Sequence, residues 1–129
     1  MKCDSGKIII SPGLNIWDQE YESAQALAKV GITVEFIRRS EENRRTSADV
    51  LINGLVWEMK APKADNVRAI DRNIRRALHQ SPNIIIDARR MKKLPDEVIE
   101  RELRKHAREM RSIKHLWFIN RQREIIDIK

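Results

Sequence analysis

Apolar residues along this chain follow two rhythms, one with a period near four and one with a period of two. After a short apolar start broken by Pro12-Gly13, Trp17, Tyr21, Ala24, Leu27 and Ala28 recur at helical spacing, with Asp18 at the entry and Gly31 closing the helix. Ile32 to Ile37 is rich in β-branched and aromatic residues and predicts a strand. A polar link from Arg38 to Ser47 follows and is expected to be a mobile loop. Ala48 to Ile52 and Leu55 to Met59 flank Asn53-Gly54, two residues that tolerate positive φ and so predict a two-residue type I′ hairpin. Beyond Ala61-Pro62, Asp65 or Asn66 can cap a helix whose apolar face is Val67, Ile70, Ile74, Ala77 and Leu78, and Ser81-Pro82 stops it. Asn83 to Ile86 predicts a short buried strand. Pro95-Asp96-Glu97 opens a third helix with Ile99, Leu103, Ala107 and Met110 inward. Leu116 to Ile119 and Glu124 to Ile128 are the last two predicted strands.

The order helix, three strands, helix, strand, helix, two strands describes a mixed α/β chain with helices available to flank a central sheet. Its 129 residues are expected to form one domain, 1–129. Along the hairpin, Val50, Ile52, Leu55, Trp57 and Met59 fall on one face and Leu51 and Val56 on the other, the pattern of strands buried on both sides.

That hairpin concentrates the candidate chemistry. With Asn53-Gly54 as the turn, Ile52 faces Leu55, Leu51 faces Val56, Val50 faces Trp57, and Asp49 stands opposite Glu58. Directly opposed residues have Cβ atoms roughly 4.5–5.5 Å apart, where two like charges repel and call for a cation between them. Lys60 emerges on the same face as Glu58, because side chains alternate along a strand. Two carboxylates beside one amine suit a hard divalent cation that keeps open positions for water and phosphate oxygens. Lys60 is then placed to position a water and stabilise charge rather than to act as a fully deprotonated base. The same residues would otherwise make an ordinary hairpin with a salt bridge, but burial makes two unneutralised carboxylates costly.

Composition supports a polyanionic partner. There are 26 Lys and Arg against 19 Asp and Glu, a net charge of +7 and a pI near 9.9. This balance is the electrostatic footprint of nucleic-acid binding, although an anionic surface of another kind would also satisfy it. No apolar run is long enough to span a membrane, so the chain is expected to be soluble. Cys3 stands alone, which excludes an intrachain disulfide and a thiolate zinc cage. His79, His106 and His115 lack metal-binding spacing and are expected at surface or boundary positions.

Asp49, eight intervening residues and then Glu58-Met59-Lys60 resemble the signature of the PD-(D/E)XK nuclease superfamily, and the element order resembles its αβββαβ core over roughly Trp17 to Ala88. The later helix and strand hairpin would be additions to that core. More narrowly, Ala48-Asp49-Val50-Leu51-Ile52 through Trp57-Glu58-Met59-Lys60, Ile70 to Ala77, and Asn83-Ile84-Ile85-Ile86-Asp87 resemble the C-terminal tRNase toxin domain of contact-dependent growth-inhibition proteins. The resemblance implies phosphodiester hydrolysis with Mg²⁺ or Mn²⁺, Asp49 and Glu58 as metal ligands, and Lys60 as the catalytic lysine. No proline precedes Asp49, a departure from the signature. A glutamate from the first helix often joins such sites. Glu20, spaced with Trp17, Ala24 and Leu27, is the candidate for both catalysis and metal ligation, while Glu22 falls on the polar side.

Substrate contacts are expected from Arg68, Arg72, Arg75, Arg76 and His79, read as one stripe of the second helix, with Asn73 and Gln80 toward the packed face. Aromatics make up 5% of residues, and Trp17, Trp57 and Trp117 all fall at predicted core positions, so shape and phosphate recognition is expected over base stacking. RNA, and tRNA through the narrower resemblance, is the first expected substrate. A DNA repair or junction-cleaving nuclease, a non-catalytic basic binding module, and a metal-independent ribonuclease using His106 or His115 are the alternatives. The toxin resemblance also implies an acidic immunity protein. It further implies that the chain is secreted as part of a larger protein to act in a target-cell cytoplasm; a free-standing cytoplasmic enzyme is the other possibility.

Overall fold

The computed structural model describes residues 5–37 and 49–129, with Asp49 described through its backbone. The link expected at residues 38–47 lies outside the described residues. Seven strands and three helices are found among the described residues, in the order β1 (Ile8–Ile10), α1 (Asp18–Lys29), β2 (Val34–Ile37), β3 (Asp49–Ile52), β4 (Leu55–Lys60), α2 (Val67–Leu78), β5 (Asn83–Asp87), α3 (Asp96–Glu109), β6 (His115–Ile119) and β7 (Ile125–Asp127). They form one sheet in sequential order from β1 to β7. Pairing is parallel for β1–β2, β4–β5 and β5–β6 and antiparallel elsewhere. Each parallel pair needs a crossover, and α1, α2 and α3 supply the three.

The helices divide between the two faces of the sheet. Ala24 and Leu27 of α1 pack with Val34, Phe36, Val50, Ile52, Trp57, Met59 and Ile85. Ile70 and Ile74 of α2, with Ile99 and Leu103 of α3, pack on the opposite face against Ile84, Ile86, Leu116 and Phe118. Glu58 is in register with Ile84 and Lys60 with Ile86, so both belong to the face covered by α2.

Local signals account for the element boundaries. Asn53 and Gly54 have φ of 53° and 81°, the two positive values a type I′ turn requires, and the predicted register of Asp49 with Glu58 is the one observed. Asn66 caps α2 through its side chain, which accepts a bond from the Ala69 amide at 2.9 Å. Gly31 follows α1 at φ 95°. Ile32 is not in β2 as expected, because its amide closes the helix end on the Leu27 carbonyl.

Four expectations need correction. The apolar start is a strand: Ile8–Ile10 pairs with Val34–Phe36, and Gly6 lets the chain enter it, since a Cβ there would fall 2.1 Å from the Ile32 carbonyl oxygen. The hairpin is buried on both faces only toward its base. Leu55 and Val56 near the turn are exposed, because no described element covers the hairpin tip. In α1 the buried set is Glu20, Ser23, Ala24, Ala26 and Leu27, whereas Trp17 and Tyr21 are 47% and 41% exposed. The apolar periodicity therefore runs about one residue off the helix face that packs. His106 is buried rather than at the surface, held between Asp71 and the Glu102 carbonyl.

Candidate active site at the end of β4

β4 is the strand at which the sheet changes from antiparallel to parallel pairing, with β3 on one side and β5 on the other. Its end is left open by the helices: α1 reaches it with its first turns and α2 with its second half. Between them lies a cavity of about 460 Å³ whose walls include Trp17, Glu20 and Ser23 from α1, Met59, Lys60 and Ala61 from β4, Asn73, Arg76, His79 and Gln80 from α2, and Arg90 beyond β5. Residues from both faces of the sheet meet here.

The Glu58 carboxylate is fully buried, and the Lys60 ammonium stands 3.3 Å from its Oε2. Lys60 retains 18% exposure, so the pair consists of a carboxylate sealed beneath the floor and a cation that reaches the cavity. Placing a carboxylate out of water is costly unless a cation and hydrogen bonds compensate, so this pairing is a strong constraint on the local structure. Asp49 faces Glu58 in the backbone register; its side chain lies outside the described residues. Glu20 is buried on α1, and its Oε1 accepts the backbone amide of Trp17 at 2.9 Å, which fixes the carboxylate against the first turn of its own helix.

The helix that carries Glu20 is anchored by a second buried carboxylate. Asp87, at the end of β5, accepts from Ser23 Oγ at 2.5 Å, from the Arg89 amide at 2.9 Å, and from both Arg123 terminal nitrogens at 2.8 and 3.0 Å. Arg123 also donates to the Glu22 carbonyl, and Arg89 pairs with the Glu22 carboxylate. Ser23 lies one turn after Glu20, so this network holds α1 at a set position over the end of β4.

Sequence-predicted contacts divide between two places. Asn73, Arg76 and Gln80 line the cavity, and Asn73 also donates to the Ala69 carbonyl at 2.7 Å. Arg68 and Arg72 do not join them: they line a separate hollow between α2 and α3 with Asp71, Arg75, Lys105 and His106. The basic stripe was wide enough on the helix to face two ways. Arg90 was not anticipated, since it follows β5 in an aperiodic segment; its Nη1 donates to the Ala61 carbonyl at 3.2 Å and borders the cavity. Asp87 closes a segment that carries the toxin resemblance, but no spacing rule marks it as the partner of Arg123.

Among the described residues no three His, Cys, Asp or Glu side chains gather into a metal-binding group, a set that leaves out the Asp49 carboxylate. The donors offered by Glu20 and Glu58 are carboxylate oxygens beside an amine, chemistry that fits a hard divalent cation such as Mg²⁺ or Mn²⁺.

Comparison with known proteins adds a family. Residues 45–125, more than half of the chain, match the contact-dependent growth inhibition CdiA C-terminal domain. The chain belongs to this family. It is thus a CdiA C-terminal toxin domain, an interbacterial toxin, and the matched span includes β3, β4, α2, β5 and α3. The fold of the toxin domain is also similar to one chain of a solved structure described as a CdiA-CT/CdiI toxin and immunity complex from Burkholderia pseudomallei, with a TM-score of 0.65, 23% identity and 97% of each chain covered. No curated protein matches the chain. No described helix is long and apolar enough to cross a membrane.

Proposed function

We propose that this toxin domain is a metal-dependent endonuclease of the PD-(D/E)XK type that hydrolyses RNA, with tRNA as its target. The observation that carries the reading is the buried Glu58 paired with Lys60, on a hairpin whose register sets Asp49 opposite Glu58, beneath a cavity lined by Lys60, Glu20, Arg76 and Arg90. The Glu58–Lys60 pair and the backbone register of Asp49 support it. The element order α1, β2–β3–β4, α2 and β5 supports the reading, with β1 before it and α3, β6 and β7 after it.

Glu20, Asp49 and Glu58 would hold the cation, which supplies polarisation of the phosphoryl group and acidification of a water. Lys60 orients the attacking water and offsets charge that develops on the phosphate oxygens. Arg76 and Arg90 attract and seat the phosphodiester backbone, and the excess of 26 basic over 19 acidic residues steers the polyanion toward the chain. An acidic immunity protein that covers this cavity would silence the enzyme, by placing carboxylates where phosphates sit. Residues 1–129 then act as one nuclease domain delivered from a larger secreted protein.

The test is incubation of the purified chain with total RNA, purified tRNA and plasmid DNA, each with Mg²⁺ or with chelator. Cleavage of tRNA that requires the cation supports the reading. Cleavage of DNA alone moves the substrate to DNA, and cleavage that survives chelation removes the metal from the mechanism.

A further inference from the structure

Trp17 was expected in the core and is instead the most conspicuous apolar group at the cavity mouth. Its side chain is 47% exposed while it lines the same cavity as Lys60, Arg76 and Arg90. It is also held in place. The Trp17 amide donates to Glu20 Oε1 at 2.9 Å and its carbonyl accepts from the Tyr21 amide at 3.0 Å, so the backbone beneath the indole is fixed by the proposed catalytic carboxylate and by the first helical turn. An indole kept half in water beside cations has the composition of a single-strand binding platform: a flat apolar face for a base, with positive charge for the adjoining phosphate. Tyr21, one helical turn further on, is likewise 41% exposed. A fully paired duplex keeps its base faces stacked on one another and offers the indole nothing to cover.

We propose that Trp17 is a base-stacking residue, and that the toxin domain selects a nucleotide that is unpaired or turned out of its stack next to the scissile phosphate. Arg76 and Arg90 hold the phosphate of that nucleotide and Trp17 covers its base. The inference rests on the nuclease reading above and narrows it to looped, bulged or single-stranded sites. It replaces the expectation that shape and phosphate contacts suffice for recognition.

The experiment uses the full chain carrying Lys60→Ala, so that substrate survives, and follows binding of two RNA oligonucleotides of matched length, one a hairpin with an unpaired loop and one fully paired. Tryptophan fluorescence and anisotropy of labelled RNA are read together. The expected result is quenching by the looped RNA and tighter binding of it than of the duplex. Trp17→Ala should weaken loop binding roughly 5- to 150-fold, the equivalent of about 1–3 kcal/mol of base–aromatic stacking, and Trp17→Phe should retain most of it. Unchanged loop affinity in Trp17→Ala, or duplex binding as tight as loop binding, overturns the proposal. Circular dichroism of each variant confirms the fold. Because the readout is binding by a chain without Lys60, failure of Trp17 to matter is distinguishable from failure of cleavage, which the metal and chelator assay reports by itself.

Discussion

Helix α2 borders two hollows, and they use its charges in opposite ways. On the side toward α3, Asp71 accepts from His106 Nε2 at 3.0 Å and from Arg75 Nε at 3.0 and 3.1 Å, so the anion is matched by donors on its own helix and the neighbouring one. These hydrogen bonds, that from His106 foremost, hold the Asp71 carboxyl below its ordinary range. On the side toward β4, the carboxylates stand on strand and helix backbone that the sheet fixes, the Glu58 side chain is sealed from water, and Arg76 and Arg90 border open space. Hydrogen bonds along and between helices fasten α2 to α3. The groups that the sheet holds beside the cavity are the ones to which the nuclease proposal assigns chemistry. The comparison teaches that the density of arginines on a helix says little about function until the partner of each is known.

Substitutions should separate the two hollows most sharply in catalysis. Glu58→Gln, Lys60→Ala and Glu20→Ala are each expected to reduce tRNA cleavage by about 10²–10⁴-fold, the range for loss of a positioned catalytic group. Arg68→Ala and Arg72→Ala, in the other hollow, should leave the rate near that of the wild type. Single-turnover rates on one tRNA check both halves, and a loss in Arg72→Ala equal to that in Lys60→Ala would merge the hollows into one site.

A second difference concerns stability. Arg123→Ala strands the Asp87 carboxylate, 3% exposed, without its bidentate partner, and should cost about 3–5 kcal/mol in denaturant unfolding. Because Ser23 and Glu22 share that network, the same variant should also lower cleavage through displacement of Glu20. Arg123→Lys, which restores one charge without the two-point contact, should recover part of the stability.

The cation gives a third contrast. Mg²⁺ or Mn²⁺ at about 100 times its Kd should stabilise the wild type by about 2–3 kcal/mol and leave the Asp49→Ala, Glu58→Gln double variant unshifted in thermal melts. An equal shift in both proteins would place the cation elsewhere, for instance beside the acidic residues of α3.

The smallest effect belongs to Asp71. Its folded pKa is lowered, so its contribution to stability is present above the unfolded value of about 3.9 and is lost as pH falls through the folded value. Wild type and Asp71→Asn should therefore differ in melting temperature near neutral pH and converge below about pH 4. A gap that persists at low pH would show that the carboxylate charge is not what fastens the helices.

Much of this arrangement was legible from local rules, because the rules concern groups close in sequence. Asn53-Gly54 fixed the hairpin register through backbone conformation, and the register alone set Asp49 opposite Glu58 and Lys60 beside it. Glu20 was legible because a carboxylate among apolar positions of a helix marks the buried side. The misses depended on distant contacts. Trp17 and Tyr21 continue the apolar period of α1, yet the helix packs through Glu20, Ser23, Ala24 and Leu27, a choice made by the sheet beneath. Ile8–Ile10 is too short to signal a strand and becomes one by pairing with β2, 26 positions later in register. Arg123 meets Asp87 from across 36 positions, and Arg90 meets Ala61 across 29, separations over which no periodicity speaks.

Glu58 offers the most direct test, since Glu58→Gln keeps the shape of a fully buried side chain and removes the charge that holds Lys60 and would hold the cation. Wild type and Glu58→Gln, induced to equal protein levels in a bacterial cytoplasm without any immunity protein, should differ in intact tRNA within the cells. The expected result is rapid loss of full-length tRNA and arrest of growth with the wild type, and intact tRNA with normal growth for Glu58→Gln. Equal tRNA loss in both, or growth arrest in both with tRNA untouched, would contradict a nuclease centred on the end of β4.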